Sequence, residues 1–164
     1  MPSTYDKIES QTLGSAQAAI SFTGIPATYT DLVIILNGSI TSASAFFQVK
    51  MGNGSVDNTG SNYSATRLYG NGTTAYSDRY TSSQPAFAFG LTGTNQSSAI
   101  IHINNYANTS TFKTTLIRYN QINGDVGTAA QLWRSTVAIT AVSIVGGANL
   151  SSGTTATLYG IKAA

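Results

Sequence analysis

The chain has no cysteine in its 164 residues. That excludes disulfides, zinc–thiolate sites and cysteine nucleophiles together. It also has little charge: 9% of residues are Asp, Glu, Lys or Arg, against about a quarter in an ordinary soluble domain. The basic residues are Lys7, Lys50, Arg67, Arg79, Lys113, Arg118, Arg134 and Lys162, spread along the chain rather than clustered. A nucleic-acid binder concentrates cations against phosphates, so no nucleic-acid partner is expected. No run approaches the ~20 apolar residues of a membrane-spanning helix. The longest, Leu32 to Leu36, has the length of a strand, and no membrane partner is expected. The start, Met1-Pro2-Ser3-Thr4, lacks the basic and apolar parts of a secretory signal.

Catalytic chemistry is equally thin. His102 is the one histidine, set in the apolar stretch IIHIN. It has no second histidine or cysteine to share a metal, and reads as a strand residue hydrogen-bonded locally or at an interface. The acids are Asp6, Glu9, Asp31, Asp57, Asp78 and Asp125. Most fall in turns or at strand starts, where Asp bonds nearby backbone. Asp57 lies in the oxygen-rich stretch GNGSVDNTG, which lacks the carboxylate density of a calcium loop and reads as flexible surface loop. A glycosidase needs two carboxylates across a cleft, which six scattered acids do not specify. The expectation is a non-enzymatic protein with no cofactor and no metal.

Gly, Ser, Thr, Asn and Ala replace the missing charge, and the apolar residues alternate with them at period two. Strands are expected at 18–22, 31–37, 45–51, 64–69, 86–89, 98–106, 111–119, 137–145 and 155–161. The Asp31–Asn37 run reads as buried on both faces. A short helix or turn is an option at Asp125 to Leu132. Asn-Gly pairs at 37–38, 53–54, 71–72 and 123–124, Gly146-Gly147 and Ser151-Ser152-Gly153 read as turns. Residues 52–64 and 92–97 read as polar loops. No linker divides the chain and no fixed repeat occurs. The pattern predicts one all-β domain over residues 1–164, an antiparallel β-sandwich of jelly-roll type. Residues 1–13 form an N-terminal arm or strand, and the closing Leu158–Ile161 segment completes the sandwich.

Nine tyrosines and one tryptophan stand out in so neutral a chain. Tyr63, Tyr69, Tyr76 and Tyr80 crowd one region beside Arg67 and Arg79. Aromatic and arginine side chains favour protein interfaces. Tyr69, Tyr76, Arg79, Tyr80 and Trp133 are the candidate subunit or partner contacts, with core packing as the other option for Trp133.

Three segments carry a family resemblance: MPSTYDKIESQTL at 1–13, ISFTGIPATYTDL at 20–32 and TLYGIK at 157–162. Together they resemble small virion structural proteins of tailed bacteriophages, cyanophages especially. In that group an N-terminal Tyr-x-x-Ile strand, an Ile-Pro-x-x-Tyr-x-Asp-Leu turn and a C-terminal Leu-Tyr-Gly-Ile strand bracket a variable β-rich middle. The likeness covers both ends, roughly a third of the chain, and residues from about Thr41 to Leu150 share only its style. The resemblance implies a head decoration (cement) protein on the capsid surface of the virion, made in the host cytoplasm. Its partner would be the major capsid protein, and a homotrimer is the expected assembly because capsids offer local three-fold positions. The alternative it implies is a tail-fibre or receptor-binding module for host surface glycans. The absence of a fibre shaft in the chain favours the first.

Overall fold

The structure, a computed structural model, describes residues 4–42, 46–81, 86–89, 96–120 and 126–162. Its strands in chain order are β1 (Tyr5–Thr12), β2 (Gln17–Thr23), β3 (Asp31–Gly38), β4 (Phe46–Asn53), β5 (Ser55–Val56), β6 (Tyr63–Gly70), β7 (Ala75–Thr81), β8 (Ala86–Phe89), β9 (Ser97–Asn104), β10 (Lys113–Asn120), β11 (Val126–Trp133), β12 (Ala141–Leu150) and β13 (Thr155–Ile161). An eight-stranded sheet runs β1-β13-β3-β9-β10-β11-β6-β7, and a smaller sheet runs β2-β12-β4-β5 with β8 also paired to β4. Every pairing is antiparallel. The fold is an all-β antiparallel sandwich, as the period-two pattern predicts.

The core lies between the sheets. Leu32, Ile34, Leu36, Ile101, Ile103, Ile117 and Leu158 come from the larger sheet, and Ile20, Phe22, Phe47, Val49, Met51, Val142 and Ile144 from the smaller. Two long polar side chains that enter this layer donate to backbone carbonyls. Gln131 Nε2 donates to the Val49 carbonyl at 3.0 Å. Lys113 is buried, with Nζ donating to the carbonyls of Thr111 (2.9 Å) and Thr136 (3.1 Å). Burial lowers the Lys113 pKa, because the charged form loses water.

Several sequence expectations change. Residues 126–133 form a strand, not a helix: β11 pairs along its whole length with β10 and β6. Ladder bonds on both sides override the helical preference of Ala129 and Ala130. Residues 52–64 are not an open loop. They close a tight β4–β5 turn at Gly54 (φ +75°), form a 3-10 turn at Gly60–Asn62 and enter β6. Asn71-Gly72 is a hairpin turn as expected, with Gly72 at φ +88°, and the 151–153 turn has Gly153 at φ +83°. Asn37-Gly38 instead ends β3, and Gly146-Gly147 lies within β12 at a register irregularity. The final expected strand before the C-terminal one starts at Ala141 rather than Val137. The turn at 123–124, and 92–95 of the second loop, fall outside the described residues. β3 is not buried on both faces: Ile35 remains 37% exposed.

The N-terminal segment pairs with its own domain. β1 is an edge strand on β13, with a bulge between Lys7 and Glu9. β13 is therefore an inner strand, held by β1 on one side and β3 on the other.

Candidate functional site

Alternation along β6 and β7 divides the tyrosine-rich region between two faces of the large sheet. Tyr69 pairs with Tyr76, Arg67 with Asp78, and Ala65 with Tyr80, so these side chains share the inner face. The Tyr69 and Tyr76 rings stack with centroids 4.9 Å apart and planes at 17°. Arg67, buried, pairs with Asp78 and lies 4.6 Å from the Tyr69 ring centroid and 5.6 Å from that of Tyr80. Burial is the largest single influence and opposes its charge, but the Asp78 hydrogen bond together with the electrostatic pull of Tyr80, Tyr119 and Asp78 raises its pKa. Tyr119, facing the same cluster from β10, is pushed up to about 12 by burial. Its ring end lies against Gly127, where an added Cβ would fall 2.6 Å from the hydroxyl.

The five candidate contacts therefore do not form one surface. Tyr69, Tyr76 and Tyr80 lie together, with Tyr76 41% exposed. Arg79 pairs with Thr66 and points to the opposite, outer face. Trp133 takes the core option rather than the contact one: it is 2% exposed. The inward positions of β11 are Ala129, Gln131 and Trp133, so the ring enters the core while Arg134 stays exposed. Trp133 stacks on Tyr63 at 6.4 Å and 19°. Its Nε1 donates to Asp57 Oδ2 at 2.9 Å.

Asp57 is a structural acid. Besides Trp133, Asn62 Nδ2 donates to Oδ2 at 2.6 Å and the Thr59 amide to Oδ1 at 2.8 Å. Burial alone would raise its pKa, but these donors prevail and hold it at about 2. The folded-state value is depressed, so the stabilisation is complete above the usual 3.8 and is lost as pH falls through about 2. The gap in unfolding free energy between wild type and Asp57→Asn should shrink by about 1 kcal/mol over that window, after allowing for solvent screening at this half-buried site. Urea titrations at pH 5 and pH 2 measure it, and a gap independent of pH would refute the assignment. Among the described residues, no group of three or more His, Cys, Asp or Glu side chains could hold a metal ion. His102 is hydrogen-bonded locally, as its sequence context suggests. Its Nε2 lies 3.0 Å from Asp31 Oδ2, and Asp31 Oδ1 accepts from the Asn105 amide at 2.7 Å.

The outer face of the large sheet is the more extended feature. Cross-strand pairing aligns Lys7, Tyr159, Val33, His102, Leu116, Ala130, Thr66 and Arg79 in one row. The adjoining row carries Thr157, Ile35, Ile100, Arg118, Thr128 and Leu68. Ile100 (40%), Leu116 (47%), Leu68 (54%) and Tyr5 (54%) are exposed on it. Tyr5 meets Tyr159 edge-on, with centroids 6.3 Å apart. A depression of about 150 Å³ lies between Tyr5, Val33, Ile100, His102, Leu116 and Arg118. A groove of about 700 Å³ opens at the β6–β7 end, lined by Leu68, Tyr69, Tyr76, Arg118, Tyr119 and Val126. Sequence reasoning passed over Ile35, Ile100, Leu116 and Arg118. Their period-two spacing was visible, but not that their face points away from the core.

No family model matches the sequence, and no curated protein matches it. Solved structures resemble the fold at low identity. A toad ovary galectin in complex with thio-digalactose is 14% identical over 87% of this chain and 99% of its own, with a TM-score of 0.41. The Caenorhabditis elegans galectin LEC-6 is 10% identical over 94% of this chain and 96% of its own, with a TM-score of 0.37. The alginate lyase Aly36B is 8% identical over 91% of this chain and 78% of its own, with a TM-score of 0.31. These likenesses concern architecture alone.

Proposed function

We propose that this chain is a structural virion protein of a tailed bacteriophage, a capsid decoration (cement) protein that binds the head shell through the major capsid protein. The observation that carries this reading is the outer face of the eight-stranded sheet. It is broad and mixes exposed Ile100, Leu116 and Leu68 with threonine hydroxyls and the three cations Lys7, Arg79 and Arg118. Contiguous exposed apolar surface marks protein contact. The resemblance of the terminal motifs to those of phage virion proteins supports it. The action is passive: binding favours the assembled shell by mass action, with no catalytic step and no cofactor. A homotrimer at local three-fold positions suits a capsid lattice.

A second reading draws on the 700 Å³ groove. Stacked Tyr69 and Tyr76 present an aromatic edge there, and the chain would then be a tail-fibre module that recognises host surface glycans. Copy number separates the two. Quantitative mass spectrometry of purified virions should find this chain at the same order of abundance as the major capsid protein. A small fraction of that abundance would place it on the tail and favour the glycan reading. Absence from virions would overturn both.

A further inference from the structure

Resting on the decoration reading, we infer that the outer face of the large sheet is the docking surface and that its partner is a different chain bearing carboxylates within an apolar patch. Arg118 anchors that contact at the centre, and Lys7 and Arg79 engage it at the two edges.

Size permits it. Eight strands of about eight residues span roughly 900 Å² at ~4.8 Å between strands and ~3.3 Å per residue, close to the ~800 Å² each partner contributes to a stable complex. Charge then selects the partner. β10 is an inner strand, so Arg118 sits amid the sheet beside Ile100 and Thr128. β1 and β7 are the outermost strands and place Lys7 and Arg79 at the margins of the same face.

The chain's own described acids are engaged elsewhere. Asp6 pairs with Lys162, and Glu9 accepts from Gln11. Asp31 is held by His102 and the Asn105 amide, Asp57 by Trp133, and Asp78 by Arg67. Among the described residues, Lys7, Arg79 and Arg118 therefore have no carboxylate partner. Docking an apolar surface over Arg118 would strip its water without compensation. A partner that covers it must bring a carboxylate, which the planar guanidinium can take with two parallel hydrogen bonds. A second copy docked face to face would offer Arg118 no free carboxylate, because its described acids are engaged in the same way. The face is thus complementary to an acidic, apolar surface and not to itself.

The test is co-sedimentation of purified protein with particles assembled without this chain. Wild type should bind, and Arg118→Glu should lose about 100-fold in affinity, the scale for breaking a desolvated charge pair. Leu116→Asn should lose about tenfold. Lys50→Glu, a matched charge reversal on the smaller sheet, should bind as wild type does. Equal binding by wild type and Arg118→Glu would overturn the docking face while leaving the decoration reading intact. Failure of wild type to bind would overturn the decoration reading, and this inference with it. Sedimentation velocity should show the same oligomeric state for wild type and Arg118→Glu. A change would assign the face to self-association and overturn the inference. Micromolar binding of a uronate oligosaccharide by wild type, lost in Arg118→Glu, would assign it to an acidic glycan and do the same.

Discussion

Deleting Leu158–Ala164 is expected to leave no soluble, folded protein. β13 lies inside the eight-stranded sheet, in register with β1 from Tyr5↔Ile161 to Thr12↔Thr155 and with β3 from Asp31↔Ile161 to Asn37↔Thr155. The deletion would unpair residues 5–9 of β1 and leave residues 31–34 of β3 on a new edge. Leu158 is completely buried. Gly160 faces the Tyr29 ring, where even a Cβ would come within 2.3 Å, so the ring rests directly on the strand. Losing Leu158 alone would cost about 2–5 kcal/mol by analogy with large-to-small core changes. The ladder bonds on both sides add about 1 kcal/mol each. Together these rival the ~5–15 kcal/mol that holds a typical domain folded. Expression followed by circular dichroism decides it, and a truncated protein that melts like the full chain would show that β13 is dispensable.

Trp133→Ala should destabilise the protein by about 4 kcal/mol, while Trp133→Phe should cost about 1–2 kcal/mol. The alanine change removes a 2%-exposed ring stacked on Tyr63 and leaves a cavity. The phenylalanine change keeps most of the ring but deletes the Nε1 donor to Asp57. Damage should spread along the chain of contacts. Asp57 also holds Asn62 and Thr59, and the Tyr63 hydroxyl donates to the Asp57 carbonyl at 3.0 Å while accepting from the Met51 amide at 3.1 Å. For a chain of this size each kcal/mol lowers the melting temperature by about 2–4 °C, so Trp133→Ala should melt about 10 °C lower. A shift below about 2 °C in Trp133→Ala would contradict the core placement.

The strand inventory was legible because β-branched and aromatic residues alternate with polar ones and Asn-Gly or Gly turns separate them. β2, β3, β4, β9, β10 and β13 come within a few residues of expectation. β7, Ala75–Thr81, was not anticipated, because its sequence AYSDRYT has little apolar content. Its inward side chains form the Arg67–Asp78 pair and the Tyr69–Tyr76 stack rather than an aliphatic layer. β11 was obscured by Ala129 and Ala130, whose small side chains suit a helix equally well. The 52–64 segment looked like loop by composition, yet its polar atoms are committed: Asp57 to Trp133, Asn53 Nδ2 to the Ala138 carbonyl at 2.8 Å, and Lys50 Nζ to Asn58 Oδ1 at 2.7 Å.

The sequence by itself determined the fold class, most of the strand-forming segments and the scarcity of catalytic groups, because period two and composition are local properties. Only the tertiary structure decided which side of each strand is inside. In β10, Ile117 and Tyr119 alternate with Leu116 and Arg118; in β9, Ile101 and Ile103 alternate with Ile100 and His102. Both faces carry apolar residues, so alternation reveals two faces without saying which one the second sheet covers. That choice follows from pairings such as Ile34↔Ile101 and Ile35↔Ile100 between residues more than sixty positions apart. It buries the first pair, exposes the second, and turns Arg118 outward and Trp133 inward.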